Sequence, residues 1–139
     1  MADFDVPADV QRFLQDHVES LEQLEILVLL QPRIERAWSV LEVADELRIR
    51  DSVAEEELRR LRDRGLLVVV GSTSNPSFRY GPRSESLAMM TQRLVETYDA
   101  QRVAIMRLMT ANAIQRLRAG ALGVFSNAFV FGKREKPDG

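Results

Sequence analysis

Apolar residues recur at helical spacing from the start of the chain. Val10, Phe13, Leu14 and Val18 lie three and four apart, and Pro7 suits a first helical position, so a short amphipathic helix is predicted over residues 7–17. Ser20 followed by Gln23 has the form of a capping box and opens a second helix over 21–31. Leu21, Leu24, Ile26, Leu27, Val28, Leu29 and Leu30 leave that helix almost no polar face, which makes it the central buried one, and Pro32 stops it. Ser39 with Glu42 is a further box; Val40, Val43, Ala44, Leu47 and Ile49 give the stripe of a third helix to about Arg48. Ser52 with Glu55 reads as the same device opening a fourth helix, with Ala54, Leu58 and Leu61 inward and Gly65 as a left-handed C-cap.

Beyond Gly65 the period changes. Residues 66–70 are a β-branched run, 71–77 are rich in Gly, Ser, Asn and Pro, and 78–80 resume extended character, which together predict a hairpin. Residues 84–119 contain neither Gly nor Pro, so one helix of roughly 35 residues, about 50 Å long, is expected there. Leu87, Met90, Leu94, Tyr98, Ile105 and Leu108 follow three-and-four spacing along it, although Gln101 and Asn112 interrupt any heptad. Gly120 and Gly123 are expected to break the helix ahead of Phe125, Phe129, Val130 and Phe131 and a charged end, Lys133-Arg134-Glu135-Lys136. The organisation is then an N-terminal arm and short helix (1–18), a two-helix and hairpin unit (19–83), a long helix (84–119) and a Phe-containing tail (120–139), without internal repeats. The fold class is mainly α with a small β-hairpin.

The run Ser39-Val40-Leu41-Glu42-Val43-Ala44-Asp45-Glu46-Leu47, followed by Ser52-Val53-Ala54 and Leu58-Arg59-Arg60-Leu61-Arg62-Asp63-Arg64-Gly65-Leu66-Leu67, resembles the winged helix-turn-helix regulators of bacteria, especially the MarR and PadR groups. The similarity spans residues 21–82, and the long helix after it resembles the C-terminal dimerisation helix of those groups. This resemblance implies a first motif helix at 39–48, a recognition helix at 52–64 and a wing tip at 71–77. It further implies a homodimer that regulates transcription by binding double-stranded DNA, with no cofactor.

Composition narrows the possibilities. The 139 residues are 45% hydrophobic and 29% charged, suited to one domain plus a dimerisation element, and no apolar run reaches the roughly 20 residues that span a bilayer. No membrane partner is expected; the acidic first residues carry no secretory signal, and a cytoplasmic location follows by default. With no cysteine there is no disulfide framework, thiolate metal site or cysteine nucleophile. The single histidine, His17, sits at a helix end and has no triad partners; P-loop, GxGxxG and HExxH motifs are missing, so neither a catalytic nor a metal site is expected. A net charge of -2 means that any DNA contact must come from a local patch.

With Ala54, Leu58 and Leu61 inward, the outward arc of the fourth helix centres on Ser52, Glu56, Arg59 and Asp63, with Glu55 and Arg60 beside it. Ser52, Glu56 and Arg59 are the expected base-facing residues; Arg59, Arg60, Arg79 and Arg83 are the expected cationic contacts, and Arg48 and Arg50 lie in the turn. The Glu55-Glu56-Glu57 run is unusual for a DNA reader. Two readings stand: a solvated face neutralised by Glu55–Arg59 and Glu56–Arg60 pairs, or an acidic helix that with the Phe-rich tail binds another protein instead of DNA. Leu94, Tyr98, Ile105 and Leu108 are the expected dimerisation residues. Met89, Met90, Met106 and Met109 suit a dimer or domain core or an effector pocket, and Trp38 suits the seam between helix and hairpin.

Overall fold

A serine stands immediately before three of the helices, and each serine oxygen accepts the N–H three residues on, replacing a bond that the first turn cannot make for itself. The computed structural model describes the backbone of residues 6–138 and the side chains of residues 6–121. The order is α1 (Ala8–His17), α2 (Leu21–Leu30) with a 3-10 turn at Gln31–Arg33, β1 (Trp38–Ser39), α3 (Val40–Leu47), α4 (Asp51–Asp63), β2 (Leu67–Gly71), β3 (Pro76–Tyr80), α5 (Glu85–Ala100) and α6 (Arg102–Asp138). Ser39 and Glu42 form the complete reciprocal box in front of α3.

α2 is the hub. Leu24, Ile26, Leu27 and Leu30 are fully buried, and around them pack Val10 and Leu14 of α1, Leu58 and Leu61 of α4, Leu94 of α5 and Ile105 of α6. The sheet is antiparallel with order β1-β3-β2, so the hairpin gains a third strand in which Trp38 stands opposite Phe78. Two residues are too short to show a period of two, which is why β1 carries no signature of its own. Trp38 is buried in the seam, with the Arg36 guanidinium 3.5 Å above its ring.

Two helix boundaries differ from the sequence expectation. The expected single helix over 84–119 is two helices, parted at Gln101, whose backbone leaves the helical region (φ -136, ψ 56) while its N–H closes α5 on Thr97 and its carbonyl starts α6 through Ile105. The bend lets α5 and α6 both pack on α1, which a straight rod could not do. Gly120 and Gly123 do not end α6, which runs on to Asp138; a glycine costs a helix only about 1 kcal/mol. The side chains of the Phe125–Phe131 segment lie outside the described residues.

Polar contacts tie the layers together. Glu57 of α4 is buried, and its carboxylate accepts from Gln23 Nε2 at 3.1 Å and Ser20 Oγ at 3.3 Å. The same Ser20 and Gln23 cap α2, Ser20 Oγ accepting the Gln23 N–H and Gln23 Oε1 accepting that of Glu19. Arg64, just past α4, donates to the Asp16 carbonyl and pairs with Glu19, while Arg116 of α6 donates to the carbonyls of Gln15, Val18 and Glu19. The carbonyls at the end of α1 thus find donors from both α4 and α6. Glu57→Ala leaves the buried Gln23 amide without its acceptor and is expected to lower the unfolding free energy by about 1–3 kcal/mol, with Glu57→Gln losing less; urea denaturation checks this.

Candidate nucleic-acid interface

The turn between α3 and α4 is made by Arg48, the one non-glycine with positive φ among the described residues (φ 57, ψ 49). Its left-handed conformation lets both Arg48 and Ile49 return their N–H groups to the Ala44 carbonyl, so α3 stops abruptly and α4 starts three residues later. The Ser52–Glu55 box expected there does not form. Helical geometry begins at Asp51, one residue before Ser52, so Arg50 is the N-cap and no side chain caps α4. The first N–H groups of α4 therefore face outward, with Asp51 and Ser52 exposed and Arg48 and Arg50 at the rim.

The outer face of α4 carries the residues expected from the helical arc, already paired. Both Nε and Nη2 of Arg59 donate to Glu55 Oε2 at 3.1 and 3.0 Å, and Arg60 Nη2 donates to Glu56 Oε1 at 2.7 Å. All four side chains are exposed to about half their area, so each pair adds only a few tenths of a kcal/mol and opens readily. Glu57, third of the run, points inward. Arg62 pairs with Asp63 at 2.8 Å.

The hairpin stands beside α4, its tip formed by residues 72–75, where Ser72 Oγ accepts the Asn75 N–H. Arg79 is exposed on β3 between buried Phe78 and Tyr80, and it makes no ion pair among the described residues; nor do Arg48 and Arg50. Arg83 is placed differently from Arg79. The hairpin closes onto α4 through Arg83 N–H to the Gly65 carbonyl and Gly81 N–H to the Leu66 carbonyl, and the Arg83 stem lies across Gly65 at the C-terminal end of α4. There it faces His17, whose imidazole stacks on Phe13 and is held below its usual pKa by burial and by the nearby Arg64 and Arg83 charges, against an opposing pull from Asp16. Ser52, Glu56, Arg59 and Arg60 thus share one face, Arg79 is exposed on the hairpin, and Arg83 sits about 20 Å of helix away from the α4 N-terminus.

The expected dimerisation residues divide as well. Leu94 and Ile105 are fully buried inside the chain's own core, and Tyr98 and Leu108 pack half-buried against it. Among the described residues, the apolar side chains left open on α5 and α6 are Met89, Val103, Ile114 and Leu117, the last 72% exposed. Sequence reasoning placed the stripe on the inner side because three-and-four spacing marks the strongest apolar face, and here that face is core. Among the described residues no group of acidic or histidine side chains could hold a metal, and no helix is long and apolar enough to cross a membrane.

A helix-turn-helix followed by a β-wing and two C-terminal helices is a winged-helix fold of the MarR-like kind. Solved structures with this fold include the S. aureus MepR–DNA complex, 15% identical over 80% of this chain and 88% of that one with a TM-score of 0.52. Others are S. aureus MepR F27L bound to an oligodeoxyribonucleotide (12%, 90% and 91%, 0.51) and the haem sensor PefR from Streptococcus agalactiae in complex with haem (13%, 84% and 82%, 0.50). The likeness establishes the fold. No protein-family model and no curated protein matches the sequence. Gly65 has φ +82, and an added Cβ would meet Arg83 Cδ at 2.5 Å. Gly65→Ala is expected to cost about 1–2 kcal/mol through the left-handed backbone, and to push Arg83 aside; thermal melts read the first effect and a changed His17 titration by NMR the second.

Proposed function

We propose that the chain is a homodimeric transcription regulator that binds double-stranded DNA, presenting the N-terminal half of α4 to the major groove and the β-wing to the backbone. The observation that carries this reading is the start of α4. Three backbone N–H groups there lack a side-chain cap, with Arg48 and Arg50 in the turn beside them and Arg79 exposed on the wing, none of the three arginines having an ion-pair partner among the described residues. Helix N-termini and unpaired guanidinium groups are the two commonest protein ligands for phosphate. The MepR structures in complex with DNA supply a precedent in the same fold. Arg83, with its stem committed to Gly65, supports the base of the wing and reaches no further than the phosphates beside it.

The second copy is assigned to the open apolar residues of α5 and α6, Met89, Val103, Ile114 and Leu117. Tyr98 and Leu108, half-buried, form the border of that surface, with Leu94 and Ile105 as its internal support. Such a patch on a small soluble protein favours association, and two-fold pairing would offer two α4 helices to an inverted repeat.

A second reading is favoured by the pairing on α4. With Glu55 and Glu56 neutralising Arg59 and Arg60, the helix offers phosphates no net positive field, and it would serve as a docking face for another protein. Salt separates the two. On the first reading, affinity for duplex DNA falls steeply between 50 and 200 mM salt, and Arg79→Ala weakens all sequences alike while lowering the salt slope by about 1; fluorescence anisotropy measures both. Failure to retain duplex even at low salt would overturn it in favour of the second. Sedimentation at micromolar concentration is expected to show a dimer, and Leu117→Glu is expected to weaken association at least tenfold, about 1.4 kcal/mol.

A further inference from the structure

Two i,i+4 ion pairs lie side by side on α4. On a helix of 3.6 residues per turn, Glu56 and Arg59 lie about 60° apart with Ser52 between them, while their partners Arg60 and Glu55 lie further out on either side. The central acceptor, Glu56, is held from its flank by Arg60 through Oε1. The central donor, Arg59, is held from its flank by Glu55 through Nε and Nη2. Each pair uses only one side of the group it holds. Glu56 Oε2 accepts no hydrogen bond from the described residues, and the Nη1 edge of Arg59 makes none. The outer face of the helix therefore displays an open acceptor edge beside an open donor edge, Glu56 in the N-terminal half of α4 and Arg59 about one turn further on.

We propose that Glu56 and Arg59 are the specificity-determining pair, Glu56 accepting from a cytosine N4 amine through its open Oε2 and Arg59 donating to the O6 and N7 of a guanine through its open Nη1 edge. This rests on the DNA-binding reading above. Cytosine is the one base whose major-groove edge offers a donor without a neighbouring acceptor, so a carboxylate oxygen with no hydrogen of its own selects it, whereas adenine's N7 would oppose the same oxygen. Guanine presents two acceptors, which a guanidinium edge matches and a carboxylate rejects.

The test is selection of duplexes from a pool randomised over one half-site, at low salt, with full-length wild type and Glu56→Gln in parallel. Wild type is expected to enrich cytosine at one position, about tenfold over the other bases. Glu56→Gln, whose amide suits adenine, is expected to lose that preference at that position and keep the guanine preference beside it. The side chain is exposed, so its thermal midpoint should match wild type. Identical pools for the two proteins, or a wild-type pool with no cytosine position, overturn the assignment while leaving DNA binding intact. Failure of wild type to retain any duplex overturns the DNA-binding reading itself, and this one with it.

Discussion

The orientation of the whole reading surface depends on one buried carboxylate. Glu55, Glu56 and Glu57 are consecutive, yet a helix has only one inner side at each level, and Glu57 takes it. A carboxylate moved from water into a protein interior costs several kcal/mol unless donors replace the lost solvent, and the donors here come from α2: Gln23 Nε2 and Ser20 Oγ. Rotating α4 by one residue would bring Glu56 or Leu58 to those donors and leave either a strained contact or an unmet amide. The network therefore selects a single rotation of α4 about its axis, and with it the outward direction of Glu55, Glu56, Arg59 and Arg60. Because Ser20 and Gln23 also cap α2, the start of the hub helix and the docking of α4 are one hydrogen-bonded unit.

A second junction lies a few residues upstream. The last turn of α1 and the corner into α2 receive Arg64 from the end of α4 and Arg116 from α6, so both helices are fastened to the short stretch 15–19. Arg116 spends three N–H bonds on carbonyls that α1 itself cannot satisfy, which makes its contribution directional and not merely electrostatic. The head that would meet DNA and the helix that would meet a second copy consequently share a rigid origin. His17 sits within this junction as a neutral, half-buried group: its pKa is depressed, so the stability it lends is complete above its unfolded value near 6.5 and is lost as pH falls below that.

Elements that depend on neighbours in sequence were readable; those that depend on neighbours in space were not. The Ser39–Glu42 box, the all-apolar α2 and the Gly65 cap are local, and each has the form its residues announce. The Ser52–Glu55 pattern is equally local but is overridden by Arg48, whose left-handed turn brings the chain into helical geometry one residue early. Gln101 has no breaker character, and the break there accompanies the packing of both α5 and α6 on α1. β1 becomes a strand only because β3 is there to pair with it. For the site, helical arithmetic brought Ser52, Glu56, Arg59 and Arg60 to one face, but arginine count alone could not separate Arg79, open on the wing, from Arg83, laid across Gly65. Nor could spacing distinguish the side of α5 and α6 that faces the core, with Leu94 and Ile105, from the side that faces away.

The electrostatics of α4 then follow a consistent logic. Exposed ion pairs contribute little to stability, so Glu55–Arg59 and Glu56–Arg60 are weakly held and cost little to rearrange. What they do change is the field. A recognition helix with free arginines attracts any duplex through its phosphates, whereas one with internally compensated arginines gains almost nothing from sequence-independent contact. On the proposed reading, the attraction that remains would come from Arg48, Arg50 and Arg79, which would hold a backbone in place without reporting on its bases. Discrimination is the difference between specific and nonspecific binding, and lowering the nonspecific part widens it as effectively as adding a new base contact. An acidic run on a reading helix, at first sight an obstacle to DNA, is in this arrangement the means by which a protein of net charge -2 would ignore most of it.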